Sequence, residues 1–267
     1  MTHRVEPVPL PSGRLGTSRS LTVHHFGTPG ARPKAYIQAA LHADETPGLL
    51  VAHHLIRRLR DLDAAGRIAG DLVVVPAANP IGLSQVVEGV HVGRYGLEGG
   101  GNFNRSFANL TDRAAALLDG RIGPDAAANV AEVRAALRAA HAALPQPRDE
   151  VAALRRLLQS MALDADYVLD LHCDLEAVPH LYTGDALWPD LSDLAALLGA
   201  RAVLLASESG GDPFDEACSA PGGCWRTASP PRGRSRRPAP PPPSSCAARR
   251  TSTMRRRRAT PMRWCSS

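Results

Sequence analysis

No window of this 267-residue chain is an uninterrupted apolar run of membrane-spanning length, and the opening "MTHRVEPVPLPSGRLG" has no apolar core of signal-peptide type. A soluble cytoplasmic protein is the expectation. Cysteine is scarce: of five residues, Cys173 and Cys218 lie in ordinary sequence and Cys224, Cys246 and Cys265 in an unusual tail, with no CxxC and no regular spacing. Nothing therefore points to a disulfide framework or a thiolate zinc site. No internal repeat is visible, and "GLEGGGN" lacks the GK[ST] of a phosphate loop. Acid is missing from one region only: after Glu216 there is no Asp or Glu, whereas twelve Arg follow Ala220.

That distribution decides how the net charge of +5 is read. With the tail set aside, 19 Lys and Arg face 26 Asp and Glu, so residues 1–220 carry about −7. The body is acidic and enzyme-like, not a basic surface for nucleic acid. At 44% apolar residues the chain is long enough for one sizeable α/β core.

Along the body, "KAYIQAAL" reads as a strand and "TPGLLVAHHLIRRLRDL" as the next helix, with Thr46 and Pro47 at its start and Leu49, Leu50, His53, Leu55, Ile56 and Leu59 near helical spacing. "GDLVVVPAANPIGL" is a β-branched run stopped by Pro76. The Ala-rich stretch from Thr111 to about Leu163 is helical, and near its end Val151, Leu154, Leu157, Leu158 and Met161 share a face. "DYVLDLHCD" and "HLYTG" read as strands, and "LSDLAALLGARAVLLAS" as helix then strand. Strands alternating with helices predict an α/β fold with a mixed, mostly parallel sheet covered on both faces.

Beyond Ala220 the pattern stops. Residues 221–267 have a Pro run, an Arg run and no apolar periodicity, so a disordered Arg/Pro-rich tail is expected behind a 1–220 domain that is incomplete at its C-terminus. Two origins fit: a genuine basic appendage, or a shifted reading frame in a gene rich in G and C. The abruptness of the change in composition favours the shift.

His42 and Glu45 stand where the first predicted strand turns outward, the end at which open α/β sheets bind ligands. A His and a carboxylate three apart on such a turn can reach one cation, and two His with one Glu is a ligand set of catalytic zinc. His172, at the end of "YVLDLH", supplies the third. His53 and His54 read instead as one packed and one solvated helix residue, and Cys173 as a small buried side chain.

"LHADETPG", "GNFNRSF" and "LDLHCD", in that order, resemble the succinylglutamate desuccinylase and aspartoacylase family, relatives of the zinc carboxypeptidases, over roughly Ala35 to Cys218. The resemblance implies a carboxypeptidase-like fold and one zinc ion per chain, held by His42, Glu45 and His172. It implies that Asn104 and Arg105 hold a substrate carboxylate, a guanidinium gripping it through two parallel charge-assisted hydrogen bonds, with Arg94 as a further substrate arginine. Asn102 stands where relatives carry Asp, so the group supporting a zinc-bound His is here an amide. The implied chemistry is hydrolysis of an amide or related acyl bond in a small N-acyl amino acid-like substrate, zinc polarising the carbonyl and activating water. The family's general base is a Glu in a late Thr-x-Glu strand, and no residue here matches it. Glu208 and Glu216 precede its place, so turnover is expected to be weak or absent. The alternatives are a carboxypeptidase-like peptidase, and a non-catalytic fragment whose basic tail binds nucleic acid non-specifically.

Overall fold

The structure is a computed structural model and describes residues 2–11, 15–219 and 247–249. Six strands form the main sheet: β1 (Arg4–Leu10), β2 (Arg19–Gly27), β3 (Lys34–Ala39), β4 (Asp71–Val75), β9 (Tyr167–Leu171) and β12 (Ala247–Arg249). Their order is β1-β2-β4-β3-β9-β12. The pairs β1/β2 and β2/β4 are antiparallel, while β4/β3, β3/β9 and β9/β12 are parallel. The sheet is thus mixed and mostly parallel, as its sequence pattern predicts.

The first strand escapes a reading by periodicity because Pro7 and Pro9 interrupt it. Proline removes a ladder donor, which an edge strand tolerates, and β1 is at the edge. Between β4 and the helical section come two short ribbons, β5 (Val86–Val87) with β6 (Val90–His91) and β7 (Tyr95–Gly96) with β8 (Gly101–Asn102). A separate parallel pair, β10 (His180–Thr183) and β11 (Ala202–Leu205), follows β9.

Helices cover both faces. On one side α1 (Pro47–Ala64) packs Ala52, Ile56 and Leu59 against Phe26, Ile37, Val74 and Leu171. On the other, α5 (Glu150–Ala162) packs Val151, Leu154 and Leu158 against Tyr36, Val73, Val75 and Val168. Strand alternation divides the work, Val74 facing α1 and its neighbours Val73 and Val75 facing α5. The buried stripe of α1 runs through Gly48, Ala52, Ile56, Leu59 and Asp63, so Leu50 is exposed and His53 and His54 both face solvent. The expected packed histidine is therefore a surface residue.

The Ala-rich section is helical as expected, in three helices: α3 (Thr111–Leu118), α4 (Ala126–Ala142) and α5. Asp125 and Asp149 cap the second and third by accepting backbone N–H bonds from Ala127 and Ala152. A short α2 (Pro80–Leu83) and a later α6 (Trp188–Leu197) complete the helices that carry names here. The expectation of a disordered tail falls on residues outside those described, except Ala247–Arg249, which lie parallel to β9 at the sheet edge.

Candidate metal centre

Strands β3 and β9 are adjacent and parallel, with Gln38 opposite Asp170 and Ala39 opposite Leu171. Their carboxyl ends therefore open at one place. His172 follows β9 directly, while the chain leaves β3 through Ala40, at a left-handed φ of 59°. That conformation costs a non-glycine residue roughly 1–2 kcal/mol, and its result is a tight turn with His42 and Glu45 at the mouth of β9. Backbone packing holds the turn: Ala43 N–H donates to Gly93 O at 3.0 Å. A Cβ on Gly93 would fall 2.3 Å from Asp44 N, so only glycine permits this approach.

The three predicted ligands converge. His42, Glu45 and His172 are all buried, and one ligand atom of each lies within 4.8 Å of the others; among the described residues no other three His, Cys, Asp or Glu do this. His42 Nδ1 is 3.0 Å from Glu45 Oε1, and His172 Nδ1 is 2.9 Å from Glu45 Oε2. The two rings meet edge to face, their centroids 4.9 Å apart.

Behind each ring an acceptor holds Nε2. His42 Nε2 is 2.8 Å from Asn102 Oδ1, the same atom that accepts the Asn104 backbone N–H at 2.8 Å. A backbone N–H can only donate, so this atom is the amide oxygen and His42 must donate to it. His172 Nε2 is 2.8 Å from Asp170 Oδ2. Asp170 Oδ1 in turn accepts from Gln38 Nε2 at 3.1 Å, and Gln38 Oε1 accepts from Tyr36 Oη at 2.9 Å. Tyr36, Gln38 and Asp170 have no exposed surface. Metal-ligating imidazoles are held in this way, one nitrogen tied to an outer acceptor and the other turned to the ion. A cation replacing the shared protons would meet two imidazole lone pairs and a carboxylate oxygen, and the donor set fits zinc.

The electrostatics agree. Burial alone would raise the Glu45 carboxyl, but hydrogen bonds from His172 and His42 and from the Cys173 backbone N–H hold it well below the usual carboxylate range. Burial works against charge on His172, yet Asp170 and Glu45 more than offset it and push its pKa to about 9.

The other predicted residues surround this cluster. Arg94 reaches it directly, Nη2 lying 2.6 Å from Glu45 Oε1 with the side chain 40% exposed. Asn104 is fully buried; its Oδ1 accepts the Phe214 N–H at 2.8 Å and its Nδ2 lies 3.4 Å from His172 Nε2. Arg105 is half-buried, Nη1 donating to Asn104 O at 2.7 Å, and lies against Gly211. Cys173 is half-buried rather than buried, and it contributes its backbone N–H to Glu45. Glu208 is exposed, and Glu216 accepts the Ser209 backbone N–H.

Asp170, Gln38 and Tyr36 are the residues that motif reading passed over. Their signal is polarity inside strands otherwise built for burial: "YVLDLH" and "AYIQA" each place a polar side chain where an apolar one belongs.

Sheet, flanking helices and ligand placement define an α/β domain of zinc carboxypeptidase-like fold. Residues 31–222 match the family model described as succinylglutamate desuccinylase/aspartoacylase catalytic domain, and the chain belongs to that family. A solved family protein from Shewanella amazonensis SB2B superposes with a TM-score of 0.76 at 26% identity, over 93% of this chain and 65% of the other. One from Shewanella frigidimarina NCIMB 400 gives 0.68 at 21%, over 92% and 64%. The ectoine utilization protein EutE (DoeB) of Ruegeria pomeroyi, solved with product bound, shares the fold at a TM-score of 0.55 and 18% identity, over 93% and 59%. The chain thus spans less than two thirds of the length of these relatives. Among curated proteins none matches it.

Proposed function

We propose that this chain is a zinc-dependent hydrolase site for an amide or related acyl bond in a small, carboxylate-bearing substrate of N-acyl amino acid type. The observation that carries the reading is the convergence of His42, Glu45 and His172, each imidazole backed by its own acceptor. Family membership supports the substrate class, since the matched family is described by a desuccinylase and an aspartoacylase.

Zinc held there would polarise an acyl carbonyl and make water nucleophilic at neutral pH. The chain's own groups do the rest. Arg94, partly exposed beside Glu45, presents a guanidinium to an incoming carboxylate, and Arg105 adds a second cation on the same loop system. Asn104 orders that loop against Phe214. Asp170 and Asn102 keep the two Nε2 protons, so neither imidazole is free to act as the proton shuttle. That role needs another acid, and the sequence after Glu216 holds none. The proposal therefore includes slow turnover, about two to four orders of magnitude below a complete site.

The test is metal content and hydrolysis measured together. Zinc per chain should be close to one in the parent and fall sharply in His42→Ala and His172→Ala. N-succinylglutamate and N-acetylaspartate should be cleaved slowly, and peptides not at all. Zinc content unchanged in both variants would sink the ligand assignment. The shifted-frame origin of residues 221–267 is tested separately, by sequencing the 3′ end of the gene and translating every frame beyond the codon for Ala220. A frame that restores alternating strands and a Thr-x-Glu supports it; a single open Arg-rich frame overturns it.

A further inference from the structure

The loop that carries Asn102 is pressed against α5. Gly99 and Gly101 adopt left-handed φ values of 91° and 66°, and between them Gly100 lies so close to the helix that a Cβ there would fall 2.6 Å from Val151 Cγ2. One turn further along the same helix face stands Arg155. Its Nη2 donates to Gly100 O at 2.7 Å and to Asn102 O at 2.8 Å, and its Nε reaches Phe103 O at 3.5 Å. Among the described residues Arg155 has no ion pair. Asp149 acts on it only at longer range, so this partly buried guanidinium has to recover its lost hydration from neutral acceptors. Among the described residues all of them are carbonyls of one short backbone segment.

The segment is the one that fixes His42. Asn102 gives its backbone oxygen to Arg155 and its side-chain oxygen to His42 Nε2 and to the Asn104 N–H. Among the described residues no strand ladder of the main sheet supports it: β7 and β8, two residues each, pair only with one another. The opposite histidine has different support: Asp170 lies within β9, which is laddered to β3 on one side and to β12 on the other in the six-stranded sheet. The two halves of the cluster are therefore anchored by unrelated means.

We propose that Arg155 is a positioning residue for the metal centre: by clamping the carbonyls of residues 100–103 it holds Asn102 against His42, and through it sets the orientation of that ligand but not of His172. The inference rests on the metal-site reading for its functional meaning; the hydrogen-bond chain itself does not.

The experiment follows the two imidazole Nε2–H protons by NMR in the metal-free full chain, reading their exchange with water. In Arg155→Met the His42 proton should exchange at least about ten-fold faster, while the His172 proton, held by Asp170, is unchanged. Asn102→Ala should give the same loss at His42, and adding Arg155→Met to it should change nothing more. Arg155→Lys keeps the stem and the charge but cannot fork between two carbonyls, so it should give a smaller effect of the same kind; it carries the test if the Met variant does not fold. A His42 proton unaltered in the Arg155 variants overturns the proposal. So does equal acceleration at both histidines, which would mean general loosening. Zinc titration of the same proteins adds the functional readout, an affinity loss of about ten-fold or more for Arg155→Met. A parent chain that takes up no zinc would remove the metal reading, yet the proton exchange would still decide the clamp.

Discussion

At the scale of single residues, the site works by giving each imidazole Nε2 its own acceptor. Asp170 accepts from Gln38 on one oxygen and from His172 on the other, so both oxygens are engaged. Asp170→Asn replaces one acceptor by a donor and leaves either Gln38 or His172 facing an N–H. Zinc affinity should fall about 10- to 100-fold, with a loss of stability of roughly 1–3 kcal/mol from the unsatisfied buried group; metal titration and urea unfolding read the two effects. The converse change at the other histidine is Asn102→Asp. A carboxylate behind His42 makes the imidazole a more basic ligand, so zinc should bind more tightly than in the parent, and a weaker affinity would contradict the acceptor role.

Elements make these assignments possible by close approach. The turn bearing His42 and Glu45 rests on Gly93, and a methyl there would meet backbone instead of a movable side chain. Gly93→Ala should cost roughly 1–3 kcal/mol and weaken zinc binding, whereas alanine at Gly123, with open space around it and no left-handed φ, should leave zinc binding unchanged. The N-terminus is latched to α1 in a similar way. Asp63 accepts the backbone N–H groups of Thr2, His3 and Gly27, besides the Thr2 hydroxyl. The Thr2 hydroxyl bond is the largest cause holding its carboxyl well below the usual range; burial opposes it, and the backbone N–H bonds add to it. A depressed carboxylate stabilises the fold above its unfolded pKa of about 4, and that contribution is lost as pH falls through the folded value. Thermal unfolding between pH 2 and 6 should therefore fall less steeply with acid in Asp63→Asn, with a lower plateau above pH 5.

For the whole molecule, two cores share one sheet. Leu154 belongs to the α5 face and Ile56 to the α1 face, with strand residues alternating between them. Each truncation to Ala should cost about 2–5 kcal/mol. Because no side chain is common to both clusters, the double variant should equal their sum within about 0.5 kcal/mol. Denaturant unfolding measures all three, and a large departure would mean that the sheet transmits strain between its faces.

The sequence by itself determined the α/β class and the three candidate ligands, because each ligand stands at the end of a strand whose apolar run announces it. His42, Glu45 and His172 were legible for that local reason, as were the packing face of α5 and the start of α1 at Pro47. Only the tertiary structure decided which histidine Asn102 supports and what else stands behind the ligands. Gln38 meets Asp170 across 132 positions of chain, His42 meets Asn102 across 60, and Arg155 meets the Asn102 carbonyl across 53. Those pairings depend on strand register and on how closely a glycine loop approaches a helix. Periodicity along the chain reports which face a residue occupies, but not its neighbour across the fold.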